Sequence, residues 1–420
     1  MHLVPVTPRE RRHLRGLAVR KHDYANLPIM DERSRLWQQH NDCQSDRPMI
    51  HFETWTCEGD LLPPLQCESE SARAIELQLL RSLVNHEQIQ DDTVVPDWYS
   101  IGWQTSFRLF DLDVKREHST DSQGRSLGYQ FRHPIRRFPE DISQLRPSVF
   151  VVDRDKTKSW KSYLEDIFGD ILPVRITMGS PGIGLSQNLV YFMGMESMLF
   201  AMMDFPQEFH RLMRALVHEL KTYWQWMESE DLLLLNNGAD HLGQGSFGFT
   251  NELPKSEISE GHVRLQDLWG YMDSQETVSI SPVMFKDFFF PYYRELGSMF
   301  GLLSYGCCEP VHAIWDDCIR HLPNLRKISI SPWCNEQFMG EALRGTNTIY
   351  HRKPSPNFIG VGSTFDEDGF REHAEATVKA ASRCHLEISF RDIYSLGGDA
   401  SKPRRAVSIL RQVIDTHYQP

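Results

Sequence analysis

Apolar residues along the chain fall into short runs, each followed by a longer amphipathic stretch. The runs are 48–54 (PMIHFET), 93–101 (TVVPDWYSI), 173–178 (PVRITM), 232–238 (LLLLNNG), 301–306 (GLLSYG), 327–332 (KISISP), 348–353 (TIYHRK) and 385–390 (HLEISF). Between them the spacing turns helical. After Pro206, a favoured first helical position, Phe209, Leu212, Met213, Leu216, Leu220, Tyr223 and Met227 recur on one face, which predicts a helix with that stripe in the core. Similar patterns predict helices over 71–85, 282–299, 311–321, 335–343, 366–382 and 402–417.

Strands alternating with helices imply parallel pairing, because parallel strands need crossovers. Eight such units predict an α/β fold of the (β/α)8 TIM-barrel type in one domain, with a helical N-terminal extension over 1–46 and the barrel over about 47–420. A doubly wound sheet is the alternative. No G-x-G-x-x-G fingerprint follows the early runs, and GSPGIGLSQ (179–187) is a single Gly-rich turn with only a weak phosphate-cradle character. Two connections, 102–172 after the second run and 239–281 after the fourth, are too long for plain turns and suggest lids or added elements.

Composition narrows the function. A net charge of -12 opposes phosphate backbones, so nucleic acid is not an expected partner. No stretch approaches the roughly 20 apolar residues that span a bilayer, and MHLVPVTPRERRHLR has no apolar signal core, so a cytoplasmic protein with no membrane partner is expected. Eight scattered cysteines, two of them adjacent, do not suggest a disulfide framework and read as reduced thiols.

In a barrel, residues just past the C-terminal ends of the strands converge on one mouth. The runs deliver Glu53 and Trp55; Asn236, Asn237, Asp240 and His241; Tyr305, Cys307, Cys308 and Glu309; Trp333 and Cys334; His351 and Lys353; and Arg391 and Asp392. The second long connection adds Asp273, Gln275 and Glu276. Asp240, Glu276, Glu309 and Tyr305 are candidate catalytic groups, and Glu53, Trp55, His241, Gln275, Trp333 and Lys353 candidate substrate contacts. Thiolate plus carboxylate is a donor set zinc accepts, so Cys307, Cys308 and Asp392 are candidate metal ligands, with Glu276 as a further donor. Plainer roles stand beside these. Asp240 and His241 follow a turn-favouring Asn-Gly, Lys353 and Asp392 suit a structural ion pair, Arg391 is expected to alternate outward, and either cysteine could be simple packing.

The segments RPMIHFET, ILPVRITMG, GMESMLFAMMDFPQEFHRLM, DSQETVSISPVMFKDFFFPYYRELGSMFGLLSYGCCEP, LRKISISPW and HLEISFRDI, in that order from about Leu14 onward, resemble the uroporphyrinogen decarboxylase superfamily. The resemblance implies a (β/α)8 barrel. That superfamily also holds the methyltransferases of corrinoid-dependent systems. The arginine-rich RQAGRY signature of the decarboxylases is absent, which ranks porphyrinogen decarboxylation second. Against the methyltransferases' His-x-Cys-Gly motif and final cysteine, Tyr305 takes the histidine place, Cys307 the cysteine place, and Asp392 or its neighbour the last.

The resemblance therefore implies a zinc-dependent methyltransferase acting on a small methylated donor or acceptor, with a corrinoid carried by a partner protein and zinc as Lewis acid. Trp55, Trp269, Tyr305 and Trp333 would form an aromatic pocket. A cofactor-free decarboxylase or lyase is the alternative, a non-catalytic binding protein the third reading, and a homodimer a plausible assembly.

Overall fold

The computed structural model describes residues 4–45, 47–120, 126–258 and 261–419. The strands that build the site are β1 Met49–Phe52, β2 Tyr99–Ile101, β3 Val174–Ile176, β4 Gly182–Ile183, β5 Trp269–Met272, β6 Leu302–Tyr305, β7 Leu325–Ile330, β8 Ile349–Arg352 and β9 Leu386–Phe390. Seven of them form one parallel sheet in the order β1-β9-β8-β7-β6-β5-β4, while β2 and β3 pair in parallel by themselves. Every residue of β1, β6, β8 and β9 is buried. Such burial on both faces is what helical crossovers impose, so the polar residues of these strands, among them His51, His351, Glu387 and Ser389, are buried as well.

Two expectations are corrected. The run 232–238 forms no strand; its backbone is replaced in the ladder by a side chain. Asn236 accepts from the Trp269 N–H and donates to the Trp269 carbonyl, both at 3.0 Å, so a buried amide caps β5 where a neighbouring strand would have paired. The missed strand, β5, lies inside the supposed insertion 239–281 and pairs with β6 residue for residue from Trp269 to Met272. Its four residues carry a glycine and follow a single 3-10 turn, so no periodic signal announced it.

Between β1 and β2 the hydrogen-bonded sheet is not continuous. Asp92 and Asp91 turn their carboxylates onto β1 and accept from the Ile50 and Phe52 N–H groups at 2.9 and 2.8 Å. Two side chains thus satisfy the edge donors that a partner strand would otherwise take.

The N-terminal segment is no appendage. Thr7 and Glu10 form a capping box that starts the helix Pro8–Ala25. Leu14 and Leu17 of that helix pack with Ile75 and Leu79 of Glu70–Val84 and with Leu164, Ile167 and Phe168 of Arg154–Phe168. The next helix, Pro28–Asn41, sends Trp37 and His40 to full burial against the sheet. The 102–172 connection carries two antiparallel pairs, Thr105–Arg108 with Val149–Val152 and Lys115–Thr120 with Ser126–Arg132, before the Arg154–Phe168 helix.

Inside the sheet lies a polar layer. Lys327 of β7, fully buried, donates to Glu387 of β9 at 2.6 Å and to Ser246 at 2.5 Å, between the rings of Trp37 and Trp269. His351 of β8 stands 3.2 Å from the other Glu387 oxygen, and His40 stands 3.5 Å from the first. Burial alone would hold Glu387 protonated; the flanking His351 and Lys327 outweigh it and drive its pKa well below the usual carboxylate range. The layer also anchors a hairpin. His241–Leu242 pairs with Ser246–Phe247, and Lys327 holds Ser246, Ser389 donates to the Gly245 carbonyl, and Lys353 donates to the Gln244 carbonyl.

Candidate functional site

A cavity of about 620 Å3 opens where the end of β1, the helix Glu70–Val84, the segment 93–100 and the hairpin 241–247 meet. Its volume suits a small organic ligand. Phe52, Leu79, Tyr99 and Phe247 give it apolar walls, and its polar lining includes His51, Glu53, His241, Gln244 and Tyr271, with the Lys21 side chain at one end. Burial lowers the Lys21 ammonium to about 8. Although the His241 ring is open to the cavity, the surrounding protein and the nearby His51 lower its pKa and keep it neutral.

The cavity's link to acid–base chemistry is Tyr271. Its ring packs on the hairpin backbone at Gly243, where a Cβ would fall 2.4 Å from the ring and where only glycine fits. Its hydroxyl accepts from Gln244 and donates to Asp273 at 2.6 Å. Burial, then repulsion from Glu309, raises Asp273 to about 7, against the opposing pull of Tyr271 and Arg391. Glu309 is buried and raised by that burial, and its two oxygens accept from the backbone N–H groups of Ser274 and Cys307 at 2.8 Å each. The sequence missed this arrangement because Tyr271 sits in the unpredicted strand β5.

Arg391 turns inward, against expectation. Its Nε stands 3.4 Å from Glu53 and 3.3 Å from Asp392, and both Nε and Nη1 are buried without a hydrogen bond. Arg391 continues the side of β9 that carries Glu387 and Ser389 into the buried polar layer, and the left-handed backbone at Asp392, φ 58°, follows it. Two orphan donors on a buried cation mark a place where an acidic group would be welcome. Lys353 does not pair with Asp392; it is held by the Gln244 carbonyl and by His351, and burial, then Arg391, lowers it to about 7.

Of the residues singled out in the sequence, Glu53, Trp55 and His241 line the cavity. Asp240 is half-buried beside the hairpin and raised by desolvation to about 6. Glu276 accepts from Ser186 at 2.7 Å, next to Gln275 in a 3-10 turn. Tyr305 is fully buried with its hydroxyl 2.5 Å from Ser274, and Trp269 is buried above Lys327, so neither joins Trp55 in an aromatic pocket. Trp333, 66% exposed, stands free of the cavity beyond the end of β7.

The zinc expectation meets a donor set already engaged. Cys307 and Cys308 bring their sulfurs within 3.5 Å, and in that pair Cys307 is the thiol held protonated and Cys308 the sulfur more ready to ionise. Glu309 is spent on backbone donors, Glu276 on Ser186, and Asp392 faces the Arg391 guanidinium. Among the described residues no group of three or more His, Cys, Asp or Glu side chains converges as a metal site. As arranged, these residues do not fit a catalytic zinc with three protein ligands.

No family model matches the chain, and no curated protein matches it. Among solved structures, a methyltransferase from Methanosarcina mazei superposes with a TM-score of 0.47 and 11% identity, over 90% of this chain and 97% of that one.

Proposed function

We propose that this chain is an enzyme that binds a small carboxylic acid at the C-terminal edge of its parallel α/β sheet and cleaves a bond to carbon by acid–base catalysis, with decarboxylation the best-suited reaction. The Tyr271–Asp273 pair carries this reading. A buried carboxyl poised at about 7, and joined to the cavity through one hydroxyl, is able to hold and return a proton at neutral pH. Arg391 stands behind the lining residue Glu53, its Nε 3.4 Å from that carboxylate, and would hold an acidic group of the substrate that takes the place of Glu53, while Trp55 and Phe247 would face the body of the molecule. Loss of CO2 leaves an electron pair on carbon. With Asp273 protonated, the shared hydrogen bond reverses so that the acid donates to the Tyr271 oxygen; Tyr271 gives its own proton to that carbon and takes one from Asp273.

The test is release of labelled CO2 from a panel of carboxyl-labelled aryl and cyclic acids, beside ligand-induced thermal shifts. Tyr271→Phe and Asp273→Asn should lose turnover and keep the thermal shift, and Arg391→Met should lose the shift. A panel in which no acid raises the melting temperature, or an Asp273→Asn variant with wild-type turnover, would overturn the reading.

A second reading, methyl transfer between a small substrate and a corrinoid on a partner protein, is favoured by one observation: the paired Cys307 and Cys308 sulfurs at the end of β6. It requires a metal that draws Asp392 or Glu276 away from present partners.

A further inference from the structure

We propose that Cys307 and Cys308 form an oxidative modification site, at which a hydroperoxide closes a reversible disulfide between the two neighbours. The inference goes beyond the proposed reaction and does not depend on it.

Gly306, with φ +100°, turns the chain sharply past β6, and a Cβ there would meet Ser329 at 3.0 Å. The turn leaves the two sulfurs 3.5 Å apart, both cysteines free. Cys307 is buried and Cys308 half-buried, so a small oxidant reaches Cys308 first. Cα atoms of neighbouring residues lie about 3.8 Å apart across a trans peptide, short of the roughly 4.4–6.8 Å that disulfides ordinarily take. A bond closed at that spacing is strained, and strained disulfides are the readily reduced ones. The pair is therefore suited to reversible oxidation and unsuited to a structural staple.

The chemistry balances with a hydroperoxide as oxidant. The Cys308 sulfur attacks the terminal peroxide oxygen, the O–O bond breaks, and water (or an alcohol) leaves with the proton, giving a sulfenic acid. The Cys307 thiol then attacks that sulfur, the S–O bond breaks, and hydroxide departs with the Cys307 proton as water. Two thiols are oxidised and one peroxide is reduced.

Closure of the small ring also turns the peptide between the two residues, and the surroundings are tied to that backbone. Cys307 N–H donates to Glu309 at 2.8 Å, and the Cys307 carbonyl accepts from Ser329 at 3.0 Å. Because Glu309 also holds the Ser274 N–H, oxidation would be felt one turn away, beside Asp273.

The experiment uses the full chain, reduced, desalted and treated with a few-fold excess of hydrogen peroxide. Expected are an intact mass lower by about 2 Da, two fewer titratable thiols under denaturing conditions than the eight of the reduced chain, and recovery of both with dithiothreitol. Peptide mapping should place the loss in the peptide that contains both residues, and Cys307→Ser and Cys308→Ser should each abolish it. Retention of all eight thiols, oxygen adducts on Cys308 with no mass loss, or a mass loss that persists in either variant would overturn the proposal.

Discussion

The Tyr271 hydroxyl donates to the Asp273 carboxyl at 2.6 Å across two residues of one chain, the phenol in the cavity wall and the acid behind it. The two side chains come from the C-terminal end of β5, where the ends of parallel strands conventionally present chemistry. Their neighbours make the acid an uncomfortable place for a negative charge.

That discomfort has a pH signature. A carboxyl raised from 3.8 to about 7 keeps its proton in the folded chain while the unfolded chain has released it, so folding stability falls as pH rises through that window. At about 1.4 kcal/mol per unit, the charged acid costs roughly 4 kcal/mol above pH 7, as an order of magnitude. Asp273→Asn should then be more stable than wild type at pH 8, by about 2–4 kcal/mol, and should flatten part of the decline between pH 4 and 7. Urea denaturation across that range measures it; equal or lower stability of the variant at pH 8 would contradict the assigned environment.

The buried Lys327–Glu387 pair gives a second expectation. Removal of one partner leaves a charge in the core, at a cost of about 3–5 kcal/mol, whereas replacement of both by apolar groups of similar size costs far less. Lys327→Met and Glu387→Leu should each lower the urea midpoint sharply, and the double variant should recover much of the loss. Because Lys327 also holds Ser246, the single variant should in addition loosen the hairpin, read as faster amide exchange at Leu242 and Phe247.

Asn236 stands in for a strand. Its truncation to alanine strips the Trp269 N–H of its acceptor and the Trp269 carbonyl of its donor, deep in the core. Each stranded group costs about 1–3 kcal/mol. Asn236→Ala should lose roughly 2–5 kcal/mol by chemical denaturation, and a loss below 1 kcal/mol would mean that the region rearranges to pair its backbone some other way.

Metal content separates the two functional readings. With Glu309, Glu276 and Asp392 already engaged, untagged protein should carry well under one zinc per chain, and the Cys307→Ser/Cys308→Ser variant should carry the same amount. About one zinc per chain that disappears in the double variant would instead move methyl transfer to the front.

Local pattern was enough to read the helix Pro206–Ser229 with its apolar stripe, and the buried strands β1, β6, β7, β8 and β9, since each lies in a strand-like run that stands apart from the helical sequence on its flanks. The same pattern gave Glu53 and Trp55, because the end of a strand is a position along the chain, whereas His241 lines the cavity from a hairpin and not from the end of the strand expected at 232–238. Tyr271, Arg391 and the hold on Glu309 were hidden for a different reason. Strand β5 exists because β6 and β4 flank it and Asn236 caps it, and Arg391 faces inward because it shares the side of β9 that carries Glu387 and Ser389, a side that only the folded polar layer identifies as interior. The raised acid at Asp273 depends on Glu309, thirty-six positions away, and on the exclusion of water from both. Sequence fixes which groups a chain has and where its regular elements begin. The electrostatic state of a group is set by neighbours distant in sequence and by burial, and only the folded arrangement supplies those.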